Sequence, residues 1–390
     1  MPILYPFINY ITPQLHNIFV RRRNLMSAGA AAMLGSTAGC LSGDDGGQSL
    51  SIDEITEWPP DEYENEINHW NWYTNWRDEL TEEFAEEFGI DNVNLDSYNN
   101  PGQFYAQIQR NHSIDSINST GEFSQRMMEN DLAYSLPVDM MDNWDTVGGE
   151  WKEATERTYT EDGEVYAVPN IVVVMPVIAY RDDHFDSPPN SWDIFWDEDL
   201  AGDILMWDRD YLLMQIAALY TGQDPHDPND WDELEEVLIQ QRDLNQTYYQ
   251  DHDTAQQLLG NEDVVVAATP TNSALQGHAT VDDSIRYTVP EEGTLYSIDQ
   301  QVVPAGAPNP VAGAMLADYT MSEESAEIMW ETDYAISAHE DAFDIIDRVE
   351  DNEELANLAR YEDDWELQER VPLSEEVREK TADLYTEVMS

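Results

Sequence analysis

The sequence predicts a two-domain α/β protein, and three observations support this fold class. Segments with helical spacing of apolar residues alternate with short strand-like segments from about residue 66 onwards. The apolar run 171–180, preceded by Pro169 and interrupted by Pro176, is typical of a buried strand that crosses between domains. The length of 390 residues exceeds the size of about 250 to 300 residues at which single cores stop growing.

The first predicted helix follows an aromatic stretch, HWNWYTNW, at 69–76. Apolar residues recur every fourth position from the end of this stretch: Trp76, Leu80, Phe84 and Phe88. This spacing, with Gly89 after it, predicts an amphipathic helix over 77–88 that ends at the glycine. The pattern then predicts a strand at 90–95, a helix around 104–108, a strand at 113–117 and a helix at 123–132.

Residues typical of helix N-caps predict where two helices begin in the second half of the chain. Ser191 is placed to cap a short helix that contains Trp192 and Trp196, and we expect both rings in the core. Asp230 and Glu233 have capping-box spacing ahead of an apolar helix. The remaining predicted elements are strands at 264–268, 287–290 and 301–304, and helices at 311–320, 322–332, 340–357 and 374–389.

The charge is extreme: 81 acidic residues against 17 basic ones give a formal net charge of −64. Disorder does not fit a chain that is 41% hydrophobic and 11% aromatic. The charge could serve cation binding or adapt the surface to molar salt, where the Debye length is about 3 Å. Acids spread through nearly every segment favour salt adaptation, as in proteins of halophilic archaea. Nucleic acid is excluded as a partner.

The N-terminal region has the features of an export signal. Residues 21–40 combine a basic start with an uncharged small-residue middle of about 14 residues, too short to span a bilayer as a helix. Arg22 and Arg23 resemble a twin-arginine signal, and the stretch 37–40 resembles a lipobox that ends at Cys40. We therefore expect 1–40 to be a twin-arginine lipoprotein signal, with Cys40 lipidated at the extracellular face of the membrane.

The segment after Cys40 is acidic and contains glycines and Pro59-Pro60. This composition predicts a flexible tether over 41–65 and a folded body that begins near Glu66. Cys40 is the single cysteine, so no disulfide within the chain holds the fold.

Five stretches, in order along the chain, resemble the spermidine/putrescine-type solute-binding proteins of ABC importers. They are Asn71-Trp72 with the helix that ends EEFAEEFGI, YAVP at 166–169, Ser191-Trp192 through LAGDI at 200–204, VPEEG at 289–293, and Asp299 with Val303-Pro304. The resemblance implies a two-lobed periplasmic-binding-protein-like fold, with hinge crossings and a ligand cleft between the lobes. Lobe 1 would hold 66–170 and about 300–345, and lobe 2 would hold 171–299 and about 346–390.

The resemblance also implies ligand-binding residues for a polyamine-like cation. Trp72 would stack on the ligand, with Tyr73 beside it; Ser119 would be a pocket serine; Asp299 would meet an amine. Asp208 or Asp210 would supply an acidic group at the start of a second-lobe helix. Tyr211, Thr271 and Tyr296 stand where this chain departs from the family pattern, as do Gly121 and Ser297, each of which replaces an aromatic residue.

The implied function is a monomeric, non-enzymatic carrier without a cofactor or metal, which delivers a small organic cation to an ABC permease and its ATPase. Alternative ligands are ferric ion, a thiamine-like cation or an amino acid, and a non-transport cell-surface role is a further alternative. Tyr248-Tyr249 is the candidate pair for iron, and the acidic loop 224–230 is a weak candidate for Ca²⁺. No nucleophile elbow, P-loop or dinucleotide glycine motif supports an enzyme.

Overall fold

The computed structural model describes residues 50–98, 101–110, 113–362 and 365–390. The signal at 1–40 with Cys40, and the start of the predicted tether, lie outside these residues. The strands are β1 (Glu66–Trp70), β2 (Asn92–Asp96), β3 (Ser116–Ser119), β4 (Thr160–Glu161), β5 (Glu164–Val165), β6 (Val168–Val174), β7 (Val177–Arg181), β8 (Ile204–Trp207), β9 (Asn245–Tyr249), β10 (Val266–Thr269), β11 (Ile285–Thr288), β12 (Thr294–Val302), β13 (Ile336–Ser337) and β14 (Leu367–Glu369).

The helices of the described residues surround these strands. They are α1 (Thr74–Phe88), α2 (Pro101–Ile108), α3 (Gly121–Glu129), α4 (Gly149–Thr158), α5 (Asp210–Thr221), α6 (Trp231–Leu244), α7 (His252–Gly260), α8 (Thr271–Thr280), α9 (Pro310–Tyr319), α10 (Glu323–Asp333), α11 (Ala342–Val349), α12 (Glu353–Leu358) and α13 (Glu375–Val388). The predicted α/β class is therefore confirmed.

Two sheets divide the folded body into two lobes. The first-lobe sheet has the order β13-β6-β12-β3-β1-β2, and β14 pairs with β12. The second-lobe sheet has the order β11-β7-β10-β8-β9. In each sheet a group of parallel strands, β3-β1-β2 and β10-β8-β9, lies beside antiparallel ones. The carboxyl ends of the parallel strands share one sheet edge, where ligands of α/β proteins bind.

The chain crosses between the lobes three times. The first crossing joins β6 to β7 at Met175-Pro176, the second is 289–293 between β11 and β12, and the third is 370–374 between β14 and α13. The proline-interrupted run 171–180 is thus two strands on either side of a crossing, as predicted. Sheet membership differs from the predicted division, because 171–174 and 294–299 belong to the first-lobe sheet.

The helix α1 shows how the sequence pattern produces this packing. Its residues Trp76, Leu80 and Phe84 are fully buried against the first-lobe sheet, on the face that the fourfold spacing predicts. The helix ends at Gly89, whose φ of 69° is left-handed and whose N–H bonds to the Ala85 carbonyl. Helix α1 begins at Thr74, so Trp72 and Tyr73 lie in the turn between β1 and α1.

The segment 50–65 packs on the first lobe, which differs from the predicted flexible tether over 41–65. Ile52 is only 4% exposed and lies in an apolar cluster with Leu136 and Val138. The Trp58 indole N–H donates to Asp318 at 2.8 Å, and the Tyr63 hydroxyl donates to the Phe88 carbonyl at 2.7 Å. Isolated apolar residues every few positions supply this packing, although the segment is polar on average.

Two further differences have local causes. The predicted helix 340–357 is two helices, because Asn352 accepts hydrogen bonds from the backbone N–H groups of Glu354 and Leu355 and starts α12 anew. Strand β12 begins at Thr294 rather than 301, because its first half pairs with β6 and β14. The caps at Ser191 and Asp230 are confirmed: their side chains accept from Asp193 and Glu233 N–H.

Helix α9 approaches β3 so closely that only glycine fits at position 313. A Cβ on Gly313 would lie 2.3 Å from the Asp115 carbonyl oxygen, whereas one on Gly149 in α4 would have no heavy atom within 4 Å. We expect Gly313→Ala to lower the free energy of unfolding by about 1 to 3 kcal/mol, and Gly149→Ala to change it little. Chemical denaturation of the two variants checks this; equal midpoints would contradict the close approach.

Candidate functional site

A cavity of about 460 Å³ lies between the lobes. The first lobe contributes 120–123, at the start of α3, and Ser297 of β12; the third crossing contributes 370–373. The second lobe contributes 208–211, between β8 and α5, with three side chains of α13: Arg378, Thr381 and Tyr385. Each wall lies at the carboxyl edge of its own sheet, where β3 ends in the first lobe and β8 ends in the second, so the fold itself places the cavity there.

The second-lobe wall holds three of the predicted site residues, Asp208, Asp210 and Tyr211. Asp208 already accepts hydrogen bonds from the Tyr385 hydroxyl and, at 3.0 Å, from the Gln250 amide. The Asp210 carboxylate accepts from the Tyr211 N–H at 2.8 Å at the start of α5. These carboxylates are therefore partly engaged in holding the second-lobe loop.

The Tyr211 ring carries a cation on its face. The Arg370 guanidinium lies 4.0 Å from the ring centroid, and the backbone N–H of Arg370 donates to the Tyr296 carbonyl at 2.8 Å. A similar contact places the Arg209 guanidinium 5.3 Å from the Trp207 ring. These cation–π contacts bring two arginines to the cavity of a strongly acidic protein.

Aromatic rings cluster at the end of β1 in the first lobe. Asn71 is fully buried, and its side-chain oxygen accepts from the Tyr73 N–H at 3.0 Å, which turns the chain out of the strand. The Trp72 ring lies edge-on to Tyr98 with centroids 5.1 Å apart, and 5.8 Å from Tyr73. The half-buried Trp72 and Tyr73 thus lie next to each other in one ring cluster, which consists of Trp72, Tyr73 and Tyr98.

Asp299 is a buried carboxylate next to this ring cluster, and it is 5% exposed. Desolvation raises its pKa to about 7, although the Arg370 charge and a hydrogen bond with Tyr73 act in the opposite direction. Strand alternation places Asp299 on the same face of β12 as the cavity-lining Ser297. The ring cluster and Asp299 therefore form the floor next to the cavity, linked to it through Ser297 and Arg370.

The other predicted residues, Ser119, Thr271 and Tyr296, do not line the cavity. Ser119 is fully buried at the end of β3, and its hydroxyl donates to the Thr120 carbonyl at 3.2 Å. Thr271 is buried in the first turn of α8. Tyr296 lies on the face of β12 opposite to Ser297, with its ring edge-on to Trp151 at 5.3 Å.

Gly121 in the cavity lining has an aromatic neighbour from another element. A Cβ on Gly121 would lie 2.6 Å from the Tyr159 hydroxyl oxygen, so the ring of Tyr159, from the end of α4, takes the space beside this glycine. Tyr159 is 5% exposed, and its burial raises its pKa. The resemblance implies an aromatic residue at 121, and the structure places Tyr159, from another element, next to this position.

The arginines Arg209, Arg370 and Arg378 are cavity residues that the sequence did not predict. The sequence did contain a signal for them: only 17 of its residues are basic, so each one could have been considered for a functional role. Their shared location depends on the third crossing and α13, which no local pattern shows.

The iron alternative receives no support from the placement of its tyrosines. The Tyr249 hydroxyl donates to the Ala268 carbonyl inside the core at 2.9 Å, and successive residues of β9 point to opposite faces. Among the described residues, no cluster of three or more histidine, cysteine or carboxylate side chains could hold a metal ion. Within the same residues, no helix is long and apolar enough to cross a bilayer.

Two α/β lobes, three crossings and a cavity lined from both lobes define the class of protein: this is the periplasmic-binding-protein fold. The model for bacterial extracellular solute-binding proteins matches residues 79–357, more than half of the chain. The chain belongs to this family.

Curated relatives are polyamine-binding proteins. The putrescine/agmatine-binding protein of Pseudomonas aeruginosa is 24% identical over 278 residues, which cover 66% of this chain and 74% of that protein. The spermidine/putrescine-binding periplasmic protein 1 of Haemophilus influenzae is 22% identical over 256 residues, or 64% of this chain and 69% of that protein. Both names describe binding proteins, which agrees with the expected absence of enzymatic activity.

A solved structure with the same fold is the spermidine/putrescine ABC transporter substrate-binding protein of Streptococcus pneumoniae. It has a TM-score of 0.71 at 18% identity, and the match covers 83% of this chain and 98% of that one. At this identity the likeness shows the fold alone.

The raised pKa of Asp299 predicts a pH-dependent stability. The pKa is about 7 in the folded protein and about 4 in an unfolded chain, so the folded state holds this proton more tightly. As pH rises from about 4 to about 7, we expect wild type to lose stability relative to Asp299→Asn, by about 1.4 kcal/mol per pKa unit at most, and then to level off.

Urea unfolding of both proteins at a series of pH values checks this difference. Asp383→Asn is the control, because Asp383 is exposed in the middle of α13. A pH-independent difference between wild type and Asp299→Asn would show that Asp299 is ionised throughout the range.

Proposed function

We propose that this protein is the lipid-anchored receptor of an ABC importer, and that it captures a small organic ligand with at least one ammonium group. The observation that carries the proposal is the buried Asp299, which lies beside the ring cluster and two residues after Ser297, a residue that lines the interlobe cavity. A polyamine-like cation is the first ligand class to test. The protein would act as a monomer at the extracellular face of the membrane, after twin-arginine export and lipidation of Cys40.

The chemistry of the floor suits an ammonium group. Burial disfavours the Asp299 carboxylate more than the Arg370 charge and the Tyr73 hydrogen bond favour it, and a ligand ammonium would supply further positive charge. The Trp72 ring belongs to this floor and is partly exposed, so it can contact the ligand's methylene chain and its charge through cation–π interactions, each worth about 0.5 to 2 kcal/mol. Ionisation of Asp299 on binding would make affinity for the cation rise as pH approaches 7.

The lobes provide the means of capture. Leu212, at the start of α5, is buried in an apolar cluster with first-lobe residues that include Ile67 and Trp76. The lobes therefore touch on one side of the cavity while the three crossings form the hinge. A ligand that contacts both walls stabilises this closed arrangement over an open one, and the permease can distinguish the two.

The names of the relatives support this ligand class. The Pseudomonas aeruginosa protein is named for putrescine and agmatine, which both carry amine-type cations on a short carbon chain. Identity of 24% leaves room for a different ligand, and the placement of Gly121, Ser297 and Arg370 differs from an aromatic-walled pocket. Delivery to an ABC permease and ATPase is carried over from the family as part of this proposal.

Thermal-shift measurements in molar salt with putrescine, spermidine, amino acids and ferric ion test the ligand class. We expect amines to raise the melting temperature, and tryptophan fluorescence to change because Trp72 belongs to the floor. Trp72→Ala should weaken amine binding at least tenfold, whereas Trp231→Ala, at the start of α6 and away from the cavity, should not. Stabilisation by ferric ion or by anions alone would contradict the proposal.

The anchor has a separate test in cells that express the full chain. Wild type should fractionate with membranes and lose the first 39 residues, and Cys40→Ser should appear in the medium, because a lipid-anchored protein is held by its acyl-type chains. Mass spectrometry of the N-terminal peptide checks the modification. Recovery of both proteins in the medium would refute lipidation while leaving ligand capture unaffected.

A further inference from the structure

The cavity contains basic side chains that lack acidic partners. Three described lysines or arginines, namely Arg110, Arg209 and Arg370, have no carboxylate oxygen of a described residue within 4.0 Å. Arg110 is exposed at the end of α2, whereas Arg209 and Arg370 are partly buried and line the cavity. In a chain with 81 acidic residues, unpaired cations in one cavity call for a functional reason.

The charge of the cavity lining differs from that of the chain. Three arginines, Arg209, Arg370 and Arg378, stand against three carboxylates, Glu122, Asp208 and Asp210, so the lining is formally neutral. The whole chain carries −64. A site built only to attract cations would retain the acidic surplus of its surroundings, so this balance fits a ligand with both signs of charge.

Arg370 is the arginine best placed to bind an anion. One face of its guanidinium is covered by the Tyr211 ring at 4.0 Å, and its backbone N–H is fixed to the Tyr296 carbonyl. Among the described residues, no hydrogen-bond acceptor occupies the guanidinium N–H groups. The guanidinium is planar, is held by the Tyr211 ring and is partly desolvated, so two of its N–H donors match the two oxygens of a carboxylate.

We propose that Arg370 binds a carboxylate of the ligand, so that the transported solute is a zwitterion with an ammonium group at one end and a carboxylate at the other. This inference rests on the proposed function, because the ammonium group is the one assigned to Asp299. It replaces a diamine by an amino acid whose two charges are separated along a short chain.

The positions of the two charges suit one ligand that spans the hinge. Arg370 lies in the third crossing, and its guanidinium contacts Tyr211 of the second lobe. Asp299 lies in β12 of the first lobe, near enough for the Arg370 charge to affect it. Ser297, two residues before Asp299 on the same strand, lines the same cavity as Arg370. A ligand held at both ends therefore joins the first lobe to the crossing that must move during closure.

Three probes with the same four-carbon chain separate the possibilities: putrescine, 4-aminobutyrate and succinate. Calorimetry on the wild-type protein in molar salt should show 4-aminobutyrate binding at least tenfold more tightly than either of the others. Arg370→Ala should lower affinity for 4-aminobutyrate at least tenfold and leave affinity for putrescine equal or higher. Arg370→Lys keeps the charge without the planar pair of N–H donors and should recover only part of the loss.

Arg110→Ala is the matched control, because it removes another arginine that has no described carboxylate partner but lies outside the cavity. It should bind all three probes like wild type. Circular dichroism of each variant establishes that it is folded before affinities are compared.

Each alternative outcome has a definite meaning. Putrescine binding as tightly as 4-aminobutyrate, with no effect of Arg370→Ala on either, would overturn the carboxylate site and leave the proposed function intact. Tightest binding of succinate would overturn the zwitterion and the ammonium site together. Failure of all three probes and of spermidine to bind would overturn both proposals.

Discussion

The three crossings between two separately built sheets are the constraint on which the site depends. They bring the carboxyl ends of β3 and β8, from different lobes, to opposite walls of one cavity. The second crossing leads directly into β12, which carries Ser297 and Asp299, and the third begins with Arg370. The residues that we propose meet the ligand therefore lie in or beside the crossings, so that binding would be coupled to movement of the lobes.

The energetic cost of a charge beside the cavity differs from that of a charge at the surface. At the surface, a net charge of −64 would be tolerable in molar salt, which screens charges beyond a few ångströms. At the cavity floor, burial makes a single carboxylate costly to ionise, as the raised pKa of Asp299 shows. We therefore expect the specificity of the proposed site to depend on a few local charges, above all Asp299 and Arg370, and not on the bulk composition.

Much of the fold could be predicted because its signals are local. The stripe of Trp76, Leu80 and Phe84, and the caps at Ser191 and Asp230, each specify one element. Lobe boundaries were harder, because strand pairing decides that 294–299 belong to the first-lobe sheet. The packed segment 50–65 was missed because average polarity hides a few buried anchors, such as Ile52 and Trp58.

The candidate site likewise has residues that could be predicted from the sequence and residues that could not. Asp208, Asp210 and Tyr211 line the cavity, and Trp72, Tyr73 and Asp299 lie beside it. That these six residues meet a ligand stays a prediction. The arginines could not be predicted, since their meeting depends on tertiary packing of 370–373 and α13. The close approach of Tyr159 to Gly121 likewise joins two elements that are distant in sequence.

A crystal structure of the protein grown with 4-aminobutyrate tests the central claim most directly, namely that a ligand is held between the lobes by Asp299 and Arg370. The account predicts the ligand in the interlobe cavity, with its ammonium group hydrogen-bonded to Asp299 and its carboxylate paired with the Arg370 guanidinium. A ligand bound elsewhere, or in the cavity without contact to either side chain, would contradict it.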